Sequence, residues 1–409
     1  VTRQTKAGLI CTALALCVIG YFTLLPMPEQ AAAVAETSPW CIVRCGDLGL
    51  LDIILNILLF LPLGIGLGLL RGTRAAVAIG FVCSVAIELT QLFLIAGRDA
   101  SLRDVITNTL GSGLGASLVT LWRPILQCQA HTARRLSTIA CVGWLAVLGG
   151  TSFAVEPSLP QSTWYGQWAP ELGQFDTFPG TVRDVRLAKM FLPAGILANG
   201  SEVRDTLLTQ RYRLQASAVV EGSTEHEAPI FSIFDDQQQE ILLLAQAGHT
   251  IHFRTRTRAA DLELRSPSVR LEGFPTEPGT PVEITIVRDG PSLSLSIDDS
   301  RGQGHWTSRT TVGSGWAMLL PWEYASGREA ALGSLLWLGA LLIPAGYWAG
   351  RCGAGRAMPL IVLATIAAGL ILVPRMFGMA VSPWSEWVGS VAGAATGWLA
   401  GRAMPSNGS

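Results

Sequence analysis

Between residues 51 and 116 three apolar segments follow one another, and each carries a carboxylate and a carboxamide three or four residues apart: Asp52 with Asn56, Glu88 with Gln91, Asp104 with Asn108. Those offsets put both members of a pair on one face of a helix. A carboxylate in a membrane span is costly and turns away from lipid. Three consecutive spans marked in this way must turn their polar faces toward each other. That requirement limits the fold more than any other feature of the chain.

The wider composition agrees with a membrane setting. The 409 residues are 49% hydrophobic and only 14% charged, against about 25% charge in a soluble domain. The net charge of -1 gives no sign of a nucleic-acid partner. Ala7–Leu25, preceded by Arg3 and Lys6 and ended by Pro26 and Pro28, reads as an uncleaved first helix rather than a signal peptide. Further spans fall near 50–70, 75–96, 104–122 and 137–154, then near 330–349, 358–373 and 386–401. The fold class is a multi-pass α-helical membrane protein with about eight transmembrane helices and an inserted all-β sandwich. The domains expected are 1–155 (five helices), 156–328 (sandwich) and 329–409 (three helices).

Basic residues set the orientation. With the N-terminus inside, Arg3, Lys6, Arg71, Arg74, Arg123, Arg134, Arg135, Arg351, Arg356 and Arg402 fall on the cytoplasmic side; Arg44, Arg98, Arg103 and Arg375 fall in the short outer loops. This follows the positive-inside rule with both termini cytoplasmic. The expected location is a bacterial cytoplasmic membrane, with segment 156–328 outside it.

In 156–328 the apolar period changes to two. Tyr212, Leu214, Ala216, Ala218 and Val220 alternate with mostly polar neighbours, as do Ile251, Phe253 and Thr255. Val282–Val287 and Leu293–Ile297 flank an Asp289-Gly290 turn signal. Further strands are expected at Thr181–Leu187, Ile230–Phe234, Ile241–Ala245, Ser268–Leu271 and Trp316–Leu320. Nine or so strands without helices predict a β-sandwich. Their order, through IFSIFDD, LLLAQAGHTIHFRTRT and VEITIVRDGPSLSLSIDD, resembles the concanavalin A-like and laminin-G-like jelly rolls. That resemblance implies a possible glycan partner; the E-x-D-x-x-E strand of its glucanases is absent. Trp306 is a candidate sugar-stacking residue, and Asp235, Asp236, Asp298 and Asp299 are candidate calcium ligands, against the plainer reading of turn acids and an ordinary aromatic. Trp164, Tyr165, Trp168, Trp322 and Tyr324 read as interfacial anchors.

Of eight cysteines only Cys41 and Cys45 fall on the outer side, where they either close a small disulfide loop or remain thiols near Trp40. The five histidines form no zinc pattern, and no phosphate loop, dinucleotide fingerprint or nucleophile elbow is present. No cofactor or metal is expected.

Asp52 with Asn56, Glu88 with Gln91, and Asp104 with Asn108 all sit toward the outer ends of their spans. At 1.5 Å per residue Glu88 lies about 10 Å below the surface, and Asn56 and Asn108 roughly 6–9 Å. Arg98 and Arg103 lie in the turn above, where an inward-folding base would lower the acids' desolvation cost. Gly111 and Gly115 allow close helix approach, and Pro62 with Gly64, Gly66 and Gly68 relaxes the second span.

The blocks Asp52-x3-Asn56-x3-Phe60-x-Pro62-x-Gly64, then Ile87-Glu88-x2-Gln91, then Arg98-Asp99-x-Ser101-x2-Asp104-x3-Asn108-x2-Gly111-x3-Gly115 resemble the VanZ-like family over roughly residues 10–123. The family's namesake is associated with reduced susceptibility to teicoplanin, so the resemblance implies a cell-envelope role.

Three readings stand open. In one, an intramembrane site acts on a lipid-linked or amphipathic envelope substrate, with Glu88 as general acid or base, Asp52 and Asp104 as its partners, Arg98 as a headgroup contact, and Asn56, Gln91 and Asn108 orienting the substrate. In another, the protein is a non-catalytic binder or transporter whose polar layer recognises a lipid headgroup or drug while the sandwich captures a glycan outside. In the third, the polar faces are interhelical glue and the spans anchor the sandwich.

Overall fold

The computed structural model describes residues 3–25, 48–95, 100–171, 175–299, 302–320, 327–352 and 357–404. Cys41, Cys45, Trp40, Arg44, Arg98, Asp99, Trp322, Tyr324 and Arg356 lie outside the described residues. By contacts the chain divides into two compact units, residues 1–128 and 129–405.

Among the described residues the first unit holds four helices: α1 (Arg3–Leu24), α2 (Gly49–Arg71), α3 (Thr73–Leu94) and α4 (Leu102–Leu126). Gly72, at φ +82°, makes the tight turn between α2 and α3. The buried stripe of α3 is Ala76, Gly80, Ser84, Glu88 and Gln91, at offsets of three and four. It starts small and ends polar. Ala76, Gly80 and Ser84 let α4 come close, and Ser112 donates from α4 to the Ala76 carbonyl (3.1 Å). Phe60, Leu63 and Leu67 of α2 form an apolar core with Ala15 and Ile19 of α1 and Ala116 of α4.

The second unit holds α5 (Ala130–Ala154), the β-sandwich, and helices that return after it: α8 (Gly327–Arg351), α9 (Ala357–Met376, with a π turn at Ala368–Leu372) and α10 (Trp384–Ala403). The sequence reading grouped α5 with the first four helices; the structure packs it on α8, where Ser137 donates to the Ala345 carbonyl (2.9 Å).

Among the described residues six helices, α1, α2, α3, α5, α8 and α9, are long and apolar enough to cross a membrane, and the chain is a multi-pass membrane protein. Helices α4 and α10 match the remaining two expected spans in length but are less apolar, because small and polar residues line their faces toward other helices.

The sandwich has two six-stranded antiparallel sheets. One runs β4 (Gly195–Ile196), β1 (Trp164–Trp168), β6 (Ala228–Asp235), β7 (Glu240–Ala247), β8 (Thr250–Thr255), β9 (Ser268–Glu272). The other runs β12 (Gly302–Arg309), β11 (Ser292–Asp299), β10 (Thr280–Asp289), β5 (Arg211–Val220), β2 (Gly180–Leu187), β3 (Met190–Phe191). Leu214, Ala216, Ala218 and Val220 face Ile230, Ile233, Leu242 and Leu244 across one core. The arrangement is consistent with the expected jelly roll. In the β10–β11 hairpin Asp289 pairs with Ser292, so Gly290 (φ +56°) and Pro291 form the loop, one residue later than the turn signal suggested.

Several sequence expectations need correction. Trp164 and Trp168 lie on β1; Trp164 is in the sandwich core and Trp168 packs against it, so they are sandwich residues rather than interfacial anchors. Tyr165 shares that strand. Trp316–Leu320 is no strand: Val312–Met318 is a 3-10 turn rich in glycine. The segment also contains helix α6 (Gly200–Leu208) and the short helix α7 (Arg258–Asp261), which the period-two pattern does not predict. Trp306 rests part of its ring on the sandwich core.

Candidate functional site

The polar groups of α2, α3 and α4 meet where α4 begins. Ser101, one residue before α4, donates its backbone N–H to Glu88 Oε2 on α3 (2.8 Å). Arg103, in the first turn of α4, reaches α2 with Nη2 3.3 Å from Asp52 Oδ2. Its Nε lies 3.9 Å from Asp104 Oδ1. The guanidinium is buried, with its side chain 6% exposed, while Asp52 and Asp104 keep 47% and 24%.

The geometry has a simple origin. Carboxylates near a helix N-terminus are favoured by the unpaired N–H groups there, and both Asp52 and Asp104 occupy first turns. Glu88 is near the other end of an antiparallel helix and meets the loop N–H of Ser101 instead. Arg103 lies between charges that would otherwise repel, and its planar fork suits two carboxylates at once.

Deeper along α4, Asn108 donates Nδ2 to Ser84 Oγ on α3 (2.9 Å). Asn108 thus belongs to the α3–α4 seam below the acids. Gln91 donates Nε2 to the Thr23 carbonyl at the end of α1 (2.9 Å), which ties α3 to α1. Asn56 is half-buried on α2. Of the residues singled out from sequence, Asp52 and Asp104 flank the Arg103 guanidinium, and Glu88 is joined to the start of α4 through the Ser101 N–H. Asn108 and Gln91 make interhelical bonds, and Arg98 lies outside the described residues.

In the sequence Arg103 stands out only as one of two bases in a turn, and little there marks Ser84, Ser101 and Ser112 as interhelical partners. A serine in an apolar run carries little signal by itself. The four-residue spacing of Ala76, Gly80, Ser84 and Glu88 was the available clue.

Among the described residues no three His, Cys, Asp or Glu side chains converge to hold a metal ion. The calcium candidates fall on different sheets: Asp235 ends β6, while Asp298 and Asp299 end β11. Asp235 is used locally, its Oδ1 accepting the N–H groups of Gln237 (2.9 Å) and Gln239 (2.7 Å).

The sandwich carries its own buried ionic network. Arg254 bonds Glu227 through Nη1 (2.9 Å) and Glu240 through Nε (2.7 Å), and His252 Nδ1 lies 2.6 Å from Glu227. Burial raises the Glu227 pKa, but the His252 hydrogen bond and the Arg254 charge outweigh it and hold the carboxyl at about 2. A separate cleft of about 460 Å³ is lined by Tyr165, Trp168, Asp235, Asp236 and Gln238.

No curated protein and no solved structure matches the chain. A family model does: residues 12–123, which span α1 to α4 and include the whole Arg103 cluster, match the model described as VanZ/LLP1, and over that stretch the chain carries a VanZ-like domain.

Proposed function

We propose that the VanZ-like domain of this bacterial envelope protein recognises the polar head of a lipid-linked or amphipathic envelope molecule at the cluster around Arg103, in the outer leaflet. The observation that carries this reading is the buried Arg103 guanidinium between Asp52 and Asp104 at the helix ends, with Glu88 held by the N–H of Ser101, two residues before Arg103. Interhelical glue needs only one such pair. Three acids and one base, with two of the acids partly exposed, offer hydroxyl- and amine-bearing headgroups several acceptors and one donor. Glu88, held by the Ser101 N–H, is the group for proton transfer if the ligand is also turned over. Engagement of a lipid-linked cell-wall precursor would connect the domain to susceptibility toward teicoplanin-type glycopeptides.

The test is mass spectrometry of lipids co-purifying with the full chain in mild detergent, repeated for Asp52→Asn/Asp104→Asn. Retention of the same lipid by both would remove the cluster from recognition. Incubation of the loaded protein with labelled lipid then separates binding from turnover.

The cleft beside Tyr165 and Trp168 supports a second reading, a membrane-anchored carbohydrate-binding module. Glycan binding that persists when the transmembrane acids are replaced would favour it.

A further inference from the structure

Two pairs of parallel helices in this chain are built alike. In the first, α2 and α4 meet backbone to backbone. A Cβ on Gly64 would strike the Ser112 carbonyl, one on Gly68 would lie 2.9 Å from the Ala116 Cα, one on Gly111 would meet the Ile57 carbonyl, and one on Gly115 the Leu61 carbonyl and Ile65 nitrogen. In the second pair, α8 and α10, Gly346 faces the Ala394 carbonyl, Gly350 the Trp398 backbone, Gly393 the Gly339 carbonyl, and Gly397 the Ile343 carbonyl and Tyr347 nitrogen. Each contact is the earlier one moved by the same 282 residues (64 to 346, 112 to 394, 57 to 339, 115 to 397). The intrahelical prolines, Pro62 and Pro344, obey the same shift. So do the buried positions Phe60, Leu63 and Leu67, which become Leu342, Ala345 and Ala349. The preceding helices agree as well. Cys11 of α1 donates its thiol to the Pro62 carbonyl, and Ser137 of α5 donates its hydroxyl to Ala345, one residue past Pro344.

The shift carries Asp104 onto Glu386 and Asp52 onto Ser334, and puts Ser385 where Arg103 stands. Between Glu386 and Ser334 lies the 3-10 turn that follows the sandwich. The Thr311 hydroxyl and the Gly313 N–H (3.1 Å) both donate to Glu386 Oε1, and Trp316 Nε1 donates to Ser334 Oγ (3.2 Å). Glu386 is wholly buried, whereas Asp104 is partly open. The third helices differ. Glu88 maps onto Leu370 in the π turn of α9, and the neighbouring Gly369 packs on Trp144 of α5.

We propose that α5 and α8–α10 are a second copy of the α1–α4 module, with the sandwich inserted between its first and second helices. The second copy's polar site is filled by the chain's own Thr311–Trp316 segment. Glu386 binds a hydroxyl and a backbone N–H of the same chain, and its task is to hold the base of the sandwich. The inference stands whatever the first copy binds.

Hydrogen exchange of the full-length protein in detergent tests the closure. In Thr311→Val and Glu386→Ala, exchange across residues 311–318 is expected to rise roughly tenfold or more, and in Glu386→Gln, which keeps an acceptor oxygen, much less. Peptides over 101–108 stay unchanged. If Glu386→Ala does not fold, the near-isosteric Thr311→Val decides. Unaltered exchange at 311–318 in the folded variants would overturn the closure. An experimental structure tests the copy: α2 with α4 should superpose best on α8 with α10 at the 282-residue shift, and a better fit at another shift would overturn it.

Discussion

The Arg103 guanidinium crosses from α4 to α2 and places Nη2 3.3 Å from the Asp52 carboxylate. This ion pair joins helices separated in sequence by the whole of α3. Arg103→Met removes the charge and keeps most of the stem. It removes the Arg103 contacts to Asp52 and Asp104, and the unfolding midpoint in detergent should fall by an amount corresponding to about 2–3 kcal/mol. That is below the loss for a fully buried pair, because Asp52 is half-exposed. An unchanged midpoint would make the pair ornamental.

Glu88→Gln keeps an oxygen for the Ser101 N–H and removes the ionisable group. Folding should be close to wild type, within about 1 kcal/mol. Any proton-transfer step should be lost. If co-purifying lipid remains and labelled lipid is still turned over at the wild-type rate, Glu88 is no acid or base.

The glycines of α2 and α4 differ sharply from those of α5. Gly115→Ala would push a methyl into the Leu61 and Gly64 backbone, whereas a Cβ at Gly143 meets nothing within 4 Å. Gly115→Ala should cost about 3 kcal/mol or prevent folding. Gly143→Ala should be neutral or stabilising by up to ~1 kcal/mol through helix propensity. Thermal melting of the two variants side by side checks the contrast.

The Glu227 carboxyl gives the sandwich a pH signature. Its folded pKa, about 2, lies below the unfolded value. The stabilisation is therefore complete above about pH 4.5 and is lost as pH falls toward 2. Glu227→Gln should remove most of that dependence and destabilise the sandwich by roughly 2–3 kcal/mol at neutral pH. Denaturation of full-length protein monitored by sandwich tryptophans between pH 2 and 7 reads both effects.

The inward placing of Glu88, and of Asp52 and Asp104 beside Arg103, was legible because a carboxylate in an apolar run has few tolerable orientations. Arg103 was legible as a turn residue but not as the hub, since Arg98 stands in the same turn. Trp164 misled because an aromatic near a span signals an interface as readily as a strand core. Val312–Met318 was misread because Trp316, Met318 and Leu320 alternate as in a strand, while the glycines at 313 and 315 are there to let Glu386 and Thr151 come close. The kinship of α10 with α4 was hidden because it rests on glycines at a fixed distance and on an acid that changes from Asp to Glu.

The seam between α2 and α4 also decides what can move. Where two backbones touch without side chains between them, there is no cushion to repack and no easy slip by one turn, so the pair travels as a single beam. Helix α3 is fastened to that beam by hydroxyl and amide bonds, from Ser112 to Ala76 and from Asn108 to Ser84, which water or a ligand headgroup can replace one at a time. Any gating in this domain therefore falls to α3, and Glu88 rides on the shutter rather than on the frame.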